Sequence, residues 1–237
     1  MQKVFFIIFA VAVLSGCINT PPSDNTSMPT ATPEQTPNPP TEVINVTSNE
    51  SDISPNTEHE EYSSDIIPDS EYEVYSTVIS SIISSDFSHT SVNKIVINQL
   101  TSNQTICYTS YYDCFQNFKN LSLKNISLLV EDYKNKNAMP YKLENKFSIP
   151  QTVILISRGE LNKLFNNEKG WDAFYEKYPK SSGIIYISRV GFNRNQTQAI
   201  LSFGYQAGWV WGKYYRIFLT KEEGKWIVKE EVLMMVS

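Results

Sequence analysis

The chain of 237 residues carries 25 acidic and 20 basic side chains, three Cys and two His, and 41% of it is apolar, with 14 Tyr, 12 Phe and 4 Trp. That apolar and aromatic content excludes a wholly disordered chain, and the length suits one or two domains. Two His and three Cys are too few for a zinc cluster or a haem motif, so no metal or cofactor is expected, and a net charge of −5 gives no reason to expect nucleic acid.

Lys3 is followed by an unbroken apolar run from Val4 to Leu14. Eleven residues are too short to cross a hydrocarbon core, which takes about 20, but they match the h-region of a signal peptide. Small residues and a thiol come next, and Leu14-Ser15-Gly16-Cys17 resembles the lipobox of prokaryotic lipoproteins. The resemblance implies a signal peptide over 1–16, cleavage before Cys17, and a lipid carried on the Cys17 thiol. The expected location is extracytoplasmic, with the membrane as a partner through that lipid.

Residues 17–70 read as a tether. Nine of the 12 prolines lie here, with ten acids, many Thr, Ser and Asn, and no Gly, Lys or Arg. Such a segment buries too little apolar surface to offset its ordering entropy, and Pro with like-charge repulsion favours an extended chain. As a flexible coil it spans roughly 40 Å. With the tether set aside, residues 71–237 carry 15 acids and 19 bases, so the remaining part is mildly positive although the whole chain is acidic.

Residues 71–237 are expected to form a single α+β domain. Val74, Val78, Ile79, Ile82 and Ile83 recur at helical spacing between Glu71 and Ser85, and Lys94 to Asn98 is a short strand candidate. Cys107 and Cys114 follow in an aromatic stretch; outside the cytosol they are expected to pair as a structural disulfide. Ser122 to Lys136 reads as a helix and Thr152 to Ile156 as a buried strand. Ser157 and Glu160 have capping-box spacing ahead of a short helix, and a further helix runs from Trp171 to Tyr178, ended by Pro179. From Gly183 the period becomes two. Strands are predicted over 183–192, 198–205, 211–219 and 226–236, joined by short turns. The expected architecture is N-terminal helices followed by a four-stranded antiparallel meander, a curved sheet with helices on one face.

The stretch from Trp171 to Ser237 resembles an uncharacterised family of exported prokaryotic proteins. Its marks are Trp171-Asp172-x-Phe174-Tyr175, then Tyr178-Pro179-x-Ser181-x-Gly183, then Ser188-Arg189-Val190-Gly191-Phe192-Asn193. The resemblance implies a fold unit and an exported location, and no mechanism.

No catalytic set stands out. His59 lies in the tether and His89 reads as an exposed loop residue. Glu230 and Glu231 are neighbours on a strand and so point to opposite faces, which does not make a matched acid and base. Arg189 sits within an apolar strand, where a charge is costly unless paired or at a cleft; it reads either as a structural ion pair or a charge on an exposed sheet face, or as an anion-binding group in a concave sheet, with Gln198 and Glu230 as its candidate partners. Tyr205, Trp209 and Trp211 cluster among glycines, as core packing or as a surface for a glycan or protein partner. The expected function is a non-enzymatic, lipid-anchored envelope binding or accessory domain. The alternative is a hydrolase-like enzyme acting on envelope polymers through Arg189 and a carboxylate.

Overall fold

A computed structural model describes residues 61–103, 115, 118–119, 123–166 and 168–237. Cys17, Cys107 and Cys114 lie outside the described residues. In chain order the elements are α1 (Asp69–Asp86), β1 (Lys94–Asn98), α2 (Leu123–Lys136), β2 (Thr152–Ile156), α3 (Arg158–Phe165), α4 (Trp171–Lys177), β3 (Ser181–Ile187), β4 (Gly191–Phe192), β5 (Gln198–Gly208), β6 (Trp211–Glu222) and β7 (Lys225–Val236). The chain joins the fold before residue 71: the Ser63 N–H donates to Pro140 O at 2.9 Å, and Ile67 is buried.

The class is α+β, but the sheet is larger than a four-stranded meander. Its order is β2-β1-β3-β5-β6-β7, with β4 paired to β5. β1 runs parallel to both β2 and β3, and the remaining pairs are antiparallel. Helices also interleave with β1 and β2 instead of all preceding the strands.

The expectation of helices on one face is likewise corrected. Neighbouring residues of the central strands are apolar and buried on both sides, as with Ile184 and Ile185, so each face needs a cover. On one face α1 packs Val74, Tyr75, Val78, Ile79 and Ile82 against Ile95, Ile97, Ile185, Leu201, Phe203 and Ile217. On the other, α2 covers Ile200 and Phe218 at one end, while Trp171, Phe174 and Tyr178 cover Val96, Ile156 and Ile184 at the other.

The single strand predicted over 183–192 is two, β3 and β4. The break has a local cause. The Arg189 N–H donates to Asn137 Oδ1 at 2.8 Å and the Val190 N–H to Glu71 Oε2 at 3.0 Å, so a side chain just past α2 and one from α1 take amides that a ladder would have used. Ser157 caps α3 as its spacing predicts, accepting from the Glu160 N–H at 3.2 Å, but the reciprocal half of the box is missing. The Glu160 carboxylate instead accepts from Lys177 and, at 2.6 Å, from the Tyr178 hydroxyl, tying α3 to the end of α4. These donors outweigh the effect of burial and hold its pKa below the usual carboxylate range.

Candidate functional site

The sheet face under α2, α3 and α4 is not fully covered. Between α2 and the α3/α4 pair a cleft opens, with two neighbouring cavities of about 730 and 470 Å³ that share Ser102, Tyr186 and Gln206 in their walls. The floor follows from strand register. Tyr186 pairs with Gly204, and Gly204 with Tyr214, so one row across β3, β5 and β6 reads Tyr-Gly-Tyr on the cleft side. A Cβ on Gly204 would collide with the Tyr214 ring, so the missing side chain is what lets that ring lie flat across β5. The next row places Gln206 between Ile184 and Gly212.

At the α2 end, Ser202 pairs with Arg216. The Ser202 hydroxyl accepts from Arg216 and lies 2.6 Å from the Tyr133 hydroxyl. The Arg216 guanidinium also lies over the Phe115 ring, 5.2 Å from its centroid. At the α3 end, Phe165, Trp171 and Trp209 give an aromatic wall beside the polar side chains Arg158, Asn98 and Asn162. Burial, with the Tyr214 phenol nearby, pushes the Tyr186 phenol up to about 12, and burial also raises Tyr214. Both phenols therefore stay neutral donors at physiological pH. The cleft offers aromatic faces, hydroxyls, amides, guanidinium groups and the Glu61 carboxylate: chemistry that stacks on and hydrogen-bonds a polar ligand.

The residues singled out from sequence are not brought together there. Arg189 is 5% exposed and lines neither cavity. Its partner is neither Gln198 nor Glu230 but Glu71 on α1, which accepts from Arg189 Nε at 2.9 Å and Nη2 at 2.7 Å. Glu71 also accepts from the Val190 N–H and, at 3.0 Å, from the Tyr75 hydroxyl. Tyr141 stacks on the guanidinium at 4.2 Å. This is a hydrogen-bonded structural ion pair that locks α1 to the β3–β4 break.

Tyr205 is core, and its hydroxyl donates to Asp86 at 2.8 Å. Tyr215 and Lys213 reach the same carboxylate at 2.7 and 3.1 Å. Burial works to raise the pKa of Asp86, and the three donors overcome it and bring it below the ordinary range.

Trp209 and Trp211 are 68% and 50% exposed at the β5–β6 hairpin tip. They lie on opposite sides of it. Trp209 meets Phe165, 6.0 Å between ring centroids, on the cleft side; Trp211 meets Phe87 and Tyr205 on the α1 side, at 6.1 and 6.3 Å. They do not make one flat platform. Only Trp209 lines the cleft.

The motif residues have identifiable structural work. Trp171 and Phe192 are buried, and Tyr178, ahead of Pro179, bonds Glu160. Ser188 accepts from the Ser202 N–H at 2.9 Å. Gly183 has φ 89° and leaves room for the Ala207 backbone, while Gly191 admits the α2 backbone at Leu129 and Tyr133. Asn193 Oδ1 accepts from the N–H groups of Thr197 and Gln198, closing the turn before β5. His89 is exposed. Glu230 and Glu231 do diverge, one accepting from the Lys119 N–H and the other from Ser81 of α1. Among the described residues no group of three or more His, Cys, Asp or Glu could hold a metal, and no helix is long and apolar enough to cross a membrane.

Compared with known proteins, the chain matches no family model, no curated protein and no solved structure.

Proposed function

We propose that this is an extracytoplasmic binding domain, lipid-anchored through Cys17 and carried on a Pro- and acid-rich tether, whose cleft takes a saccharide of the cell envelope. The observation that carries the reading is the Tyr186–Gly204–Tyr214 floor. Sugar rings present apolar C–H faces bordered by hydroxyls, and such a ligand is matched by aromatic planes beside neutral donors and acceptors such as Gln206 and Asn162. The hydrolase alternative required Arg189 and a carboxylate converging in a cleft. The Arg189–Glu71 pair is buried beside Tyr75 and Val190, which supports the binding reading over it.

The test is titration of the full chain with neutral and acidic envelope-type oligosaccharides, read by intrinsic fluorescence, since Trp209 lines the cleft. A saturable change that weakens at least about tenfold in Gln206→Ala and Tyr214→Ala, the cost of one or two lost hydrogen bonds or a lost stacking face, is expected. The same affinity in wild type and both variants, or no response to any saccharide, refutes the assignment. The anchor is tested apart from the cleft: Cys17→Ala is expected to abolish lipidation, seen as a mass change and loss of membrane retention. The Cys107–Cys114 pairing is tested by intact mass, with a two-dalton rise on reduction of the pair.

A further inference from the structure

We infer that the β5–β6 hairpin tip, Trp209-Val210-Trp211 with the neighbouring Val236, is a second membrane contact, inserting into the bilayer interface beside the lipid anchor. The inference rests on the anchored reading above, but its observations are separate. The tip is the most exposed apolar surface described: Trp209, Val210 and Trp211 are 68%, 84% and 50% exposed, and Val236 is 61% exposed. Val236 belongs to the same end of the sheet, because it pairs with Lys213 and the next residue, Ser237, bonds Gly212 in both directions.

The turn chemistry points the same way. The sheet closes its other long hairpin with Glu223 and Gly224, at φ 49° and 79°, the left-handed backbone that a two-residue connection favours. At the β5–β6 tip the connection is Trp209-Val210, and neither is among the described residues with left-handed backbone. Trp and Val are poor turn formers, and the bulge between Gln206 and Gly208 accommodates them. Local folding therefore does not account for apolar residues at this position.

The partner is set by where the chain goes. Tethered to a membrane by Cys17, the domain lies on average roughly 40 Å from it, so the bilayer is the surface it meets at the highest effective concentration. Tryptophan is the residue enriched at the headgroup boundary, where its ring is half apolar and its N–H still meets a partner. Trp209 and Trp211 flank Val210 from opposite sides of the hairpin, which suits a wedge entering a bilayer better than a flat sugar platform.

The experiment uses the full lipidated chain in vesicles of anionic phospholipid, with and without bromine on the acyl chains. Trp171 and Trp226 are buried and serve as an internal background. Wild type is expected to lose about half of its tryptophan emission to the brominated lipid, as two of its four tryptophans reach the interface. Val210→Asp keeps all four tryptophans and alters an exposed site, so it folds; its quenching is expected to fall several-fold while it still floats with the vesicles. Floating protein whose emission is unchanged by the brominated lipid, or a Val210→Asp variant quenched as strongly as wild type, overturns the proposal and leaves the anchor intact. If a saccharide rather than lipid shifts the emission of both exposed tryptophans, the tip belongs to the cleft ligand instead. Protein that fails to float counts against the anchor, and the tip is then judged by quenching when excess vesicles are added.

Discussion

Glu71→Gln is the sharpest test of the fold. The Glu71 side chain is fully buried and accepts from four donors: Arg189 Nε and Nη2, the Val190 N–H and the Tyr75 hydroxyl. A glutamine keeps the shape but presents an NH₂ where at least one donor now points, and it leaves Arg189, 5% exposed, without its counter-charge. Removing one partner of a buried pair costs about 3–5 kcal/mol, because the other charge stays behind. For a domain of this size 1 kcal/mol moves Tm by about 2–4 °C, so a fall of roughly 10 °C is expected. The assay is urea and thermal unfolding at neutral pH, low and high salt. A buried pair is little screened, so the loss should be the same at both ionic strengths. Replacing both members, as Glu71→Gln with Arg189→Met, removes the stranded charge and should recover part of the loss, giving a coupling measurable by a double-mutant cycle. A Glu71→Gln protein within about 1 kcal/mol of wild type would refute the reasoning, since it would mean that the pair is open to water.

Asp86→Asn should destabilise by about 1–3 kcal/mol through its two tyrosine bonds and the Lys213 pair. The sign of its pH dependence is fixed by a depressed folded pKa: Asp86 stabilises above its unfolded value of about 3.9 and that contribution is lost as pH falls through the folded one, so acid unfolding should be shallower in Asp86→Asn than in wild type. Gly191→Ala places a Cβ 2.6 Å from Leu129 O and 2.8 Å from Tyr133 N, backbone atoms that cannot swing aside; α2 must move, at about 1–3 kcal/mol in urea unfolding, whereas Gly224→Ala meets no neighbour and should cost only its left-handed backbone. Ser157→Ala removes the α3 cap and should lower stability by about 1 kcal/mol, a change of a few degrees in Tm.

How much was legible depends on how local the signal is. Helical spacing from Val74 to Ile83 marks α1, the Ser157 cap marks the start of α3, and alternation from Gln198 onward marks β5, β6 and β7, because each rests on residues a few positions apart. In the sheet's parallel half the two strands themselves were legible, Lys94–Asn98 and Thr152–Ile156, but their pairing was not. β1 and β2 are five residues each, their pairing joins Ile95 to Val153 and Ile97 to Leu155, and nothing near Lys94 signals a partner that far along the chain. Helices on one face was the wrong inference for a related reason. A run such as Ile184-Ile185 puts apolar side chains on both faces of its strand, which means a strand buried on both sides and a sheet that needs a cover on each.

The partner of Arg189 shows the same limit at a single residue. Its position in an apolar strand correctly raised the choice between an ion pair and a cleft, and burial economics favoured the pair. The partner was Glu71, 118 residues earlier, at the start of a helix where an acid looks like an ordinary response to the helix dipole. The cleft is harder still, because it is defined by what α2 and the α3/α4 pair leave uncovered. Its one local trace was Gly204, a glycine within a strand between Phe203 and Tyr205. A glycine there signals a close approach, and the approaching group is the Tyr214 ring. A strand glycine is thus readable as a site marker only once its cross-strand neighbours are known, and here those neighbours are the two tyrosines that make the floor.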